Sequence, residues 1–445
     1  MLSAFSNSLK IPELRARIGF TFALIFVCRL VATVPAPGVD ARALSAAIDN
    51  IASRVGGGFL GLFDMFSGGA LARCAVGALG IMPYISASII LQLMTAVIPA
   101  LERLAREGES GRQKITQYTR YLTLALCVVQ GSTVAISLER ARDLLSLPNE
   151  IVLSPGWQFR AMAVLTLTTG TMLMMWLGEQ ITDRGIGNGI SLIITVNIVS
   201  RAPAAAQMTM QRFQMGTFNL FHLLALFVML FVVIAGTIAV TQAERKIPIQ
   251  YAKRVVGRKV YSGQKAHFPL RINYSGVMPI IFASAILMFP AKILGLIPVD
   301  FFKRLATKLE VGSPLHLVLF GLMILFFSYF WVATQFNPIQ IADDLKKYGA
   351  YVPGIRPGRP TAEFLDRTMT RLTLAGAVFL TVIAVIPSVM ARQFGIPWLI
   401  ASFFGGTSLL IIVGVMLDTM RQVESHLVMR HYDGFLTKGK LRSRR

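Results

Sequence analysis

Ten apolar runs dominate this chain, over residues 18–34, 74–100, 121–138, 159–177, 186–200, 218–240, 274–298, 315–336, 372–390 and 396–417. A hydrocarbon core about 30 Å thick takes about 20 residues of helix to cross, and most of these runs meet that length. Inside lipid every peptide N–H and C=O must be bonded within the protein, so runs of this kind become helices. With 54% hydrophobic and 15% charged residues and a mean hydropathy of +0.61, a soluble globule is excluded. The expected fold is all-α: a polytopic membrane protein of ten transmembrane helices. No charged leader, short apolar stretch and small-residue cleavage site open the sequence, so the first helix is expected to be retained.

Two of the runs open on nearly the same phrase. Gly80-Ile81-Met82-Pro83-Tyr84-Ile85-Ser86-Ala87-Ser88 and Gly276-Val277-Met278-Pro279-Ile280-Ile281-Phe282-Ala283-Ser284 lie 196 positions apart and match at six of nine positions. The echo suggests two related halves, 1–203 with helices 1–5 and 204–445 with helices 6–10. Lys and Arg collect on the cytoplasmic side of membrane proteins. With the N-terminus placed inside, 30 of the 44 Lys and Arg fall in cytoplasmic segments. Both termini are then cytoplasmic, the second helix runs inward and the seventh outward, as an inverted repeat requires.

The net charge of +22 partly reflects this bias and contact with anionic headgroups. Loops 241–273 and 337–371 are longer and more basic than topology needs, and their Gly and Pro turns suit docking to a large acidic or RNA-rich partner. Enzymatic signatures are absent from the sequence. Cys28, Cys74 and Cys127 are odd in number and far apart, which suits helix packing; the five His form no HExxH pair, and there is no phosphate loop or nucleophile elbow. No catalytic residue, metal or cofactor is expected. Gly185-Ile186-Gly187-Asn188-Gly189-Ile190 reads as a flexible or closely packed start of a helix rather than a dinucleotide fingerprint.

Ionisable side chains near the bilayer midplane usually mark an ion or proton path, and the helix middles carry almost none. Arg29, Glu179, Asp418 and Arg421 lie toward helix ends, where snorkelling or headgroup pairing is expected. Branched aliphatics at helical spacing, such as Ile81 and Ile85 or Ile190 and Ile194, read on their own as packing residues. Ser86, Ser88, Gln92, Gln130 and Ser284 read as interhelical hydrogen-bonders. Between the first two helices, the Gly-rich stretch Gly57-Gly58-Phe59-Leu60-Gly61-Leu62-Phe63-Asp64-Met65-Phe66-Ser67-Gly68-Gly69-Ala70 is too apolar for water and too flexible for a spanning helix. It should fold back into a protein-lined cavity. A small-solute transporter is compatible with inverted repeats alone, but it needs midplane polar groups; a scaffold leaves this stretch without a purpose.

The phrases GLFDMFSGGAL, ALGIMPYISASIILQL, EGESGRQKITQYTRYLT, WLGEQITDRGIGNGISLII, ERKIPIQYAKR, GVMPIIFASAI, ADDLKKYGAYVPGIRPG and FGGTSLLIIVGVMLD, in this order, resemble the SecY/Sec61-alpha family. Its bacterial members are the central subunit of the protein-conducting channel. The resemblance spans almost the whole chain. It implies an hourglass channel between two pseudosymmetric five-helix halves, closed by an aliphatic ring that maps onto Ile81, Ile85, Ile190, Ile194, Ile281 and Ile411. It implies a plug at 57–70 and a lateral gate built on the second and seventh helices, where Pro83 and Pro279 favour bending and Ser86, Ser88, Gln92, Gln130 and Ser284 line the seam. Unfolded polypeptides would pass through the pore and signal sequences would meet lipid at the gate, without chemistry in the chain itself. Arg254, Arg258, Lys259 and Arg356 map onto the docking surface for the motor ATPase SecA and the ribosome. Implied partners further include SecE, SecG, SecDF, YidC and membrane lipids, and the implied location is the bacterial inner membrane. Met278, where Ile or Val is commoner, and the basic tail 438–445 depart slightly from the family wording.

Overall fold

The computed structural model describes residues 11–41, 43–45, 64–139, 152–251, 254–256, 259–261, 265–296, 300–309 and 313–438. The chain forms two compact units, one of Met1–Thr217 with Pro397–Ile400 and Val415–Arg445, the other of Phe218–Ile396 with Ala401–Gly414.

The first unit contains α1 (Pro12–Thr33), α2 (Met82–Val97), α3 (Pro99–Arg106), α4 (Glu109–Glu139), α5 (Trp157–Arg184), α6 (Gly189–Val199) and α7 (Ala202–Gln214). α5 is its hub, packed against α1, α4 and α6, and α2 lies on α4. Small residues let these helices approach: Cys127 on α4 and Cys74 before α2 are fully buried, as expected for packing cysteines.

The second unit holds α8 (Leu220–Gln242), α9 (Met278–Leu296), α10 (Asp300–Lys308), α11 (Pro314–Gln335), α12 (Pro338–Lys347) and α13 (Arg359–Gln393). α11 packs on α9 and α13, and α8 packs on α13. α14 (Trp398–Phe404) and α15 (Thr407–Lys438) contribute residues to both units. Along α8, Leu224, Phe227 and Phe231 are each at least 60% exposed. An outward stripe of that kind is stable only against an apolar solvent such as lipid.

Among the described residues, eight helices are long and apolar enough to span a membrane, and α2 and α3 pass the same test together as a pair bent by 100°. α9, apolar over Met278–Leu287, stands at the one remaining expected run. This is a multi-pass membrane protein.

The second expected run, 74–100, is not one helix. Residues 68–80 form successive turns, and α2 starts only at Met82. These turns lie against the end of α1, where the Val76 N–H donates to the Val34 carbonyl (2.8 Å), the Ala36 N–H to the Cys74 carbonyl (2.8 Å) and the Gly77 N–H to the Val31 carbonyl (3.2 Å). Irregular backbone is tolerated at membrane depth when protein supplies its bonds in this way.

Both copies of the repeated phrase do the same local job. Gly80 and Gly276 adopt left-handed backbone (φ +58° and +62°), and each is followed by a helix whose second residue is proline, Pro83 in α2 and Pro279 in α9. The expected bends at these prolines are therefore absent. At the first turn of a helix proline's missing N–H has no intrahelical acceptor to lose, so it starts the helix instead of kinking it. The sharp turn comes at Ile98, just before Pro99 opens α3.

The loop expected at 241–273 is largely strand. β1 (Glu244–Tyr251) pairs antiparallel with β4 (Lys265–Arg271), and between them β2 (Arg254–Val256) pairs with β3 (Lys259–Tyr261). β1 alternates in burial, with Ile247 and Ile249 inward and Lys246 and Pro248 outward. β5 (Ala350–Tyr351), from the second basic loop, adds to the other edge of β1. Ile247 and Leu270 share a core with Val332, Phe336, Val352, Leu365 and Met369, which roots this sheet on α11 and α13.

Gly80→Ala and Gly276→Ala each force a side chain into left-handed backbone, at a cost of about 1–2 kcal/mol. Each is expected to lower the thermal unfolding midpoint of the detergent-solubilised protein, whereas Tyr84→Ala, at a matched but right-handed position, should not act by this route.

Candidate functional site

The expected aliphatic ring residues sit at or near the starts of four helices. In the first unit Ile81 caps α2, Ile85 is one turn on, and Ile190 and Ile194 are one turn apart on α6. Ile81, Ile85 and Ile194 are buried and Ile190 is half-buried. In the second unit Ile281 lies in the first turn of α9 and Ile411 in α15, and both are buried.

The Gly-rich phrase at 185–190 is the closely packed kind of helix start. Its backbone donors are taken up by side chains from elsewhere in the unit: Ile186 N–H by Thr21 Oγ1 (3.1 Å), Gly187 N–H by Gln422 Oε1 (2.9 Å) and Gly189 N–H by Thr182 Oγ1 (2.9 Å). Asn188 caps α6 by accepting from the N–H groups of Ile190 (3.1 Å) and Ser191 (3.3 Å). Ile190 and Ile194 thus follow a turn whose Ile186, Gly187 and Gly189 N–H groups are all taken up.

Of the expected plug, Gly57, Gly58, Phe59, Leu60, Gly61, Leu62 and Phe63 lie outside the described residues. Asp64, Met65, Phe66 and Ser67 form a single buried helical turn, closed by the Gly69 N–H on the Asp64 carbonyl (2.9 Å) and the Ser67 hydroxyl on the same oxygen (3.0 Å). Gly68 and Gly69 follow with φ of +68° and +88°, and Ala70 is fully buried. Asp64 pairs with Arg201 and also accepts from the Ala72 N–H (2.9 Å). Asn197 donates to the Phe66 carbonyl (3.0 Å), while Arg29 donates to the Gly68 carbonyl and to Asn197 Oδ1 (3.3 Å each).

That arrangement corrects the expectation for Arg29, which reaches inward to the 64–70 segment instead of snorkelling. Glu179 likewise meets a partner, Arg120, through two hydrogen bonds (2.8 and 3.1 Å), and Asp418 and Arg421 lie 3.8 Å apart. Sequence reading missed Asn197 and Arg201. The available signal was an Asn and an Arg four positions apart at the end of an apolar run, a spacing that puts both on one helical face.

The expected gate residues are placed separately in each unit. Ser86 donates to the Met82 carbonyl (3.0 Å), Gln92 Nε2 donates to Ser88 Oγ (3.4 Å), and Ser284 donates to the Ile281 carbonyl (2.8 Å). The side-chain oxygens of Gln92 on α2 and Gln130 on α4 are buried without a hydrogen-bond partner among the described residues. Of the docking residues, Arg258 lies outside the described residues, as do the side chains of Arg254 and Lys259, whose backbones belong to β2 and β3. Arg356 is exposed, and its carbonyl accepts from the Thr361 hydroxyl (2.8 Å) just before α13.

A sequence model of the family described as SecY matches residues 75–420. The protein translocase subunit SecY of Thermotoga maritima is 44% identical over 447 residues, covering 100% of both chains. The chain belongs to the SecY family. The Escherichia coli K12 translocase subunit SecY is also 44% identical, over 97% of this chain and 95% of its own. Among solved structures, a protein-conducting channel aligns with a TM-score of 0.63 at 17% identity, over 93% of this chain and 92% of that one. A study of how the SecY plug domain stabilises the closed translocation channel gives a match with a TM-score of 0.60 at 16% identity, over 93% and 92% of the two chains. Sec61 in the canine ribosome–channel complex matches with 0.63 at 16%, again over 93% and 92%. At these identities the structural matches establish a shared SecY fold.

Asn188→Ala removes the cap of α6 and is expected to cost about 1 kcal/mol, while Asn188→Asp keeps an acceptor and most of the stability. Thermal unfolding of the two variants side by side checks this; equal losses would show that the cap is not what holds the helix start.

Proposed function

We propose that this chain is the pore-forming subunit of a Sec translocase, a passive, gated channel that passes unfolded polypeptides across the bacterial inner membrane and releases apolar segments sideways into lipid. The observation that carries the reading is full-length kinship: 44% identity along the entire chain to a protein named as a translocase subunit. The halves are 1–203 and 204–445, inverted with respect to each other, with both termini in the cytoplasm.

Ile81, Ile85, Ile190, Ile194, Ile281 and Ile411 form the ring of the pore. Branched aliphatic side chains suit that task, since they exclude water and ions by dewetting, bind no particular substrate and yield around any passing side chain. Residues 57–70 are the plug, and Pro83, Ser86, Ser88, Gln92, Gln130, Pro279 and Ser284 belong to the lateral gate. A signal sequence that binds the open gate better than the closed one shifts the population toward the open state.

The chain has no chemistry of its own in this reading, and energy comes from SecA, the ribosome or the proton-motive force. SecE, SecG, SecDF and YidC are its membrane partners. Arg254, Arg258, Lys259 and Arg356 dock SecA and the ribosome. Support comes from the sheet order β4-β1-β5, which ties both basic loops into one surface. A small-solute transporter is less well supported, because ionisable side chains of the spanning helices, such as Glu179 with Arg120 and Glu139 with Arg160, are engaged in ion pairs.

The test is ionic conductance in planar bilayers of the chain with its small partner subunits. Deletion of 57–70, or Ile81, Ile85, Ile190 and Ile281 changed to Gly, is expected to produce large, long-lived currents that the intact protein lacks. Silent bilayers from folded, inserted variants would reject the ring and plug. For the docking surface, Arg356→Glu is expected to weaken SecA-driven translocation about tenfold and to leave the bilayer conductance unchanged.

A further inference from the structure

The 64–70 segment is held in its unit mainly by polar bonds, which is unusual for an apolar, buried piece of a membrane protein. Met65, Phe66 and Ala70 would be retained by packing alone, yet five side chains converge on the backbone and the single carboxylate of this short turn. Arg29 comes from α1, Asn197 from α6, and Ser200 and Arg201 from the residues that join α6 to α7. Asn197 binds the Phe66 carbonyl, Arg29 binds that of Gly68, Ser200 approaches the same oxygen (3.4 Å), and Arg201 pairs with Asp64. Ser67, the fifth, closes the turn from within.

The two glycines belong to the same device. A Cβ on Gly68 would run into Arg29 Nη1 and Asn197, and one on Gly69 would lie 3.1–3.4 Å from the Arg201 guanidinium. The guanidinium groups therefore rest directly on the backbone of the turn. The Asp64 side chain is 8% exposed and that of Arg201 is 23% exposed. A pair buried to this degree is costly to leave half-made, because removing one partner strands the other charge. The neutral bonds to carbonyls are weak in net terms, since water can replace each of them. Such a contact holds firmly in one position and releases without tearing a close-packed core.

We propose that Arg29, Asn197 and Arg201 form a polar latch on the segment beginning at Asp64, and that this latch sets the closed-to-open balance of the channel. The proposal rests on reading residues 57–70 as the plug. Arg201 and Asn197 are positioning residues: they touch the segment, not the translocating chain. Asn197 shares the short helix α6 with Ile190 and Ile194, and Arg201 follows two residues after its last residue, Val199, so movement of α6 displaces ring and latch together.

Two readouts test the latch separately from the plug. The first is release of the segment, read as the rate at which a maleimide alkylates Met65→Cys in the full-length protein with its partner subunits. Met65 is 2% exposed and the native Cys28, Cys74 and Cys127 are buried, so the background is low. Asp64→Asn and Arg201→Gln are each expected to raise that rate at least about tenfold, and the charge exchange Asp64→Arg with Arg201→Asp to bring it back toward the parent value. Asn197→Ala, which leaves the ion pair in place, should give a smaller increase. Unchanged alkylation in the single variants, or an exchange variant as reactive as either single variant at the same unfolding temperature, would overturn the latch.

The second readout is bilayer conductance of the same proteins beside the 57–70 deletion. Open events more frequent in Asp64→Asn and Arg201→Gln than in the parent support the link from latch to opening. A leaky deletion with quiet, readily alkylated single variants would overturn that link while leaving the plug reading intact. A silent deletion would overturn the plug reading itself, while the alkylation rates still decide whether the segment is latched.

Discussion

Peptide groups cannot be left unbonded in hydrocarbon, and the rest of this structure follows from where that demand is hard to meet. Long helices meet it within themselves, which is why α4, α5 and α8 need little beyond apolar surface. The demand becomes specific where the chain is not helical. Residues 68–80 turn repeatedly and remain buried because the last carbonyls of α1 receive their N–H groups, and the 185–189 turn survives because Thr21, Thr182 and Gln422 reach it from other helices. These two irregular stretches are the ones that adjoin the 64–67 turn and position the α6 isoleucines.

Ionisable groups obey the same economy. Glu179 is matched to Arg120, Glu139 to Arg160 and Asp64 to Arg201. Carboxylates placed in this way need no ion or proton path to explain them, which fits a channel whose work is to admit chains of any sequence. The proposed ring residues are simple aliphatics for the same reason, since any fixed charge there would favour some substrates and hold them.

Outside the helices the chain changes chemistry. β1 is the centre of a small sheet whose other strands come from the same hairpin and from the second basic segment, and its inward isoleucines root it in the core formed by α11 and α13. Two loops that look independent along the chain are therefore joined through one sheet. Arg356 is exposed and follows five residues after Tyr351, whose hydroxyl bonds to Gln250 of β1 (3.1 Å).

The sequence by itself determined most of the membrane-spanning helices and, through the order of its phrases, the family, because run length and order are local properties that the bilayer reads directly, whereas the ring isoleucines follow only from the family resemblance. The internal echo was legible too, although its physical meaning was not: Pro83 and Pro279 looked like hinges until Gly80 and Gly276 were seen in left-handed backbone immediately before two helix starts. Only the tertiary structure decided that the expected 74–100 helix begins at Met82, that Glu244–Tyr251 and Lys265–Arg271 form paired strands, and that Arg29 turns inward. The partners in question are distant in sequence: Arg29, Asp64 and Arg201 belong to three separate segments, and β5 lies about a hundred residues from β1. Periodicity records which face of an element is apolar, but a hydrogen bond or ion pair between remote segments leaves no period, and only the folded chain brings its two ends together.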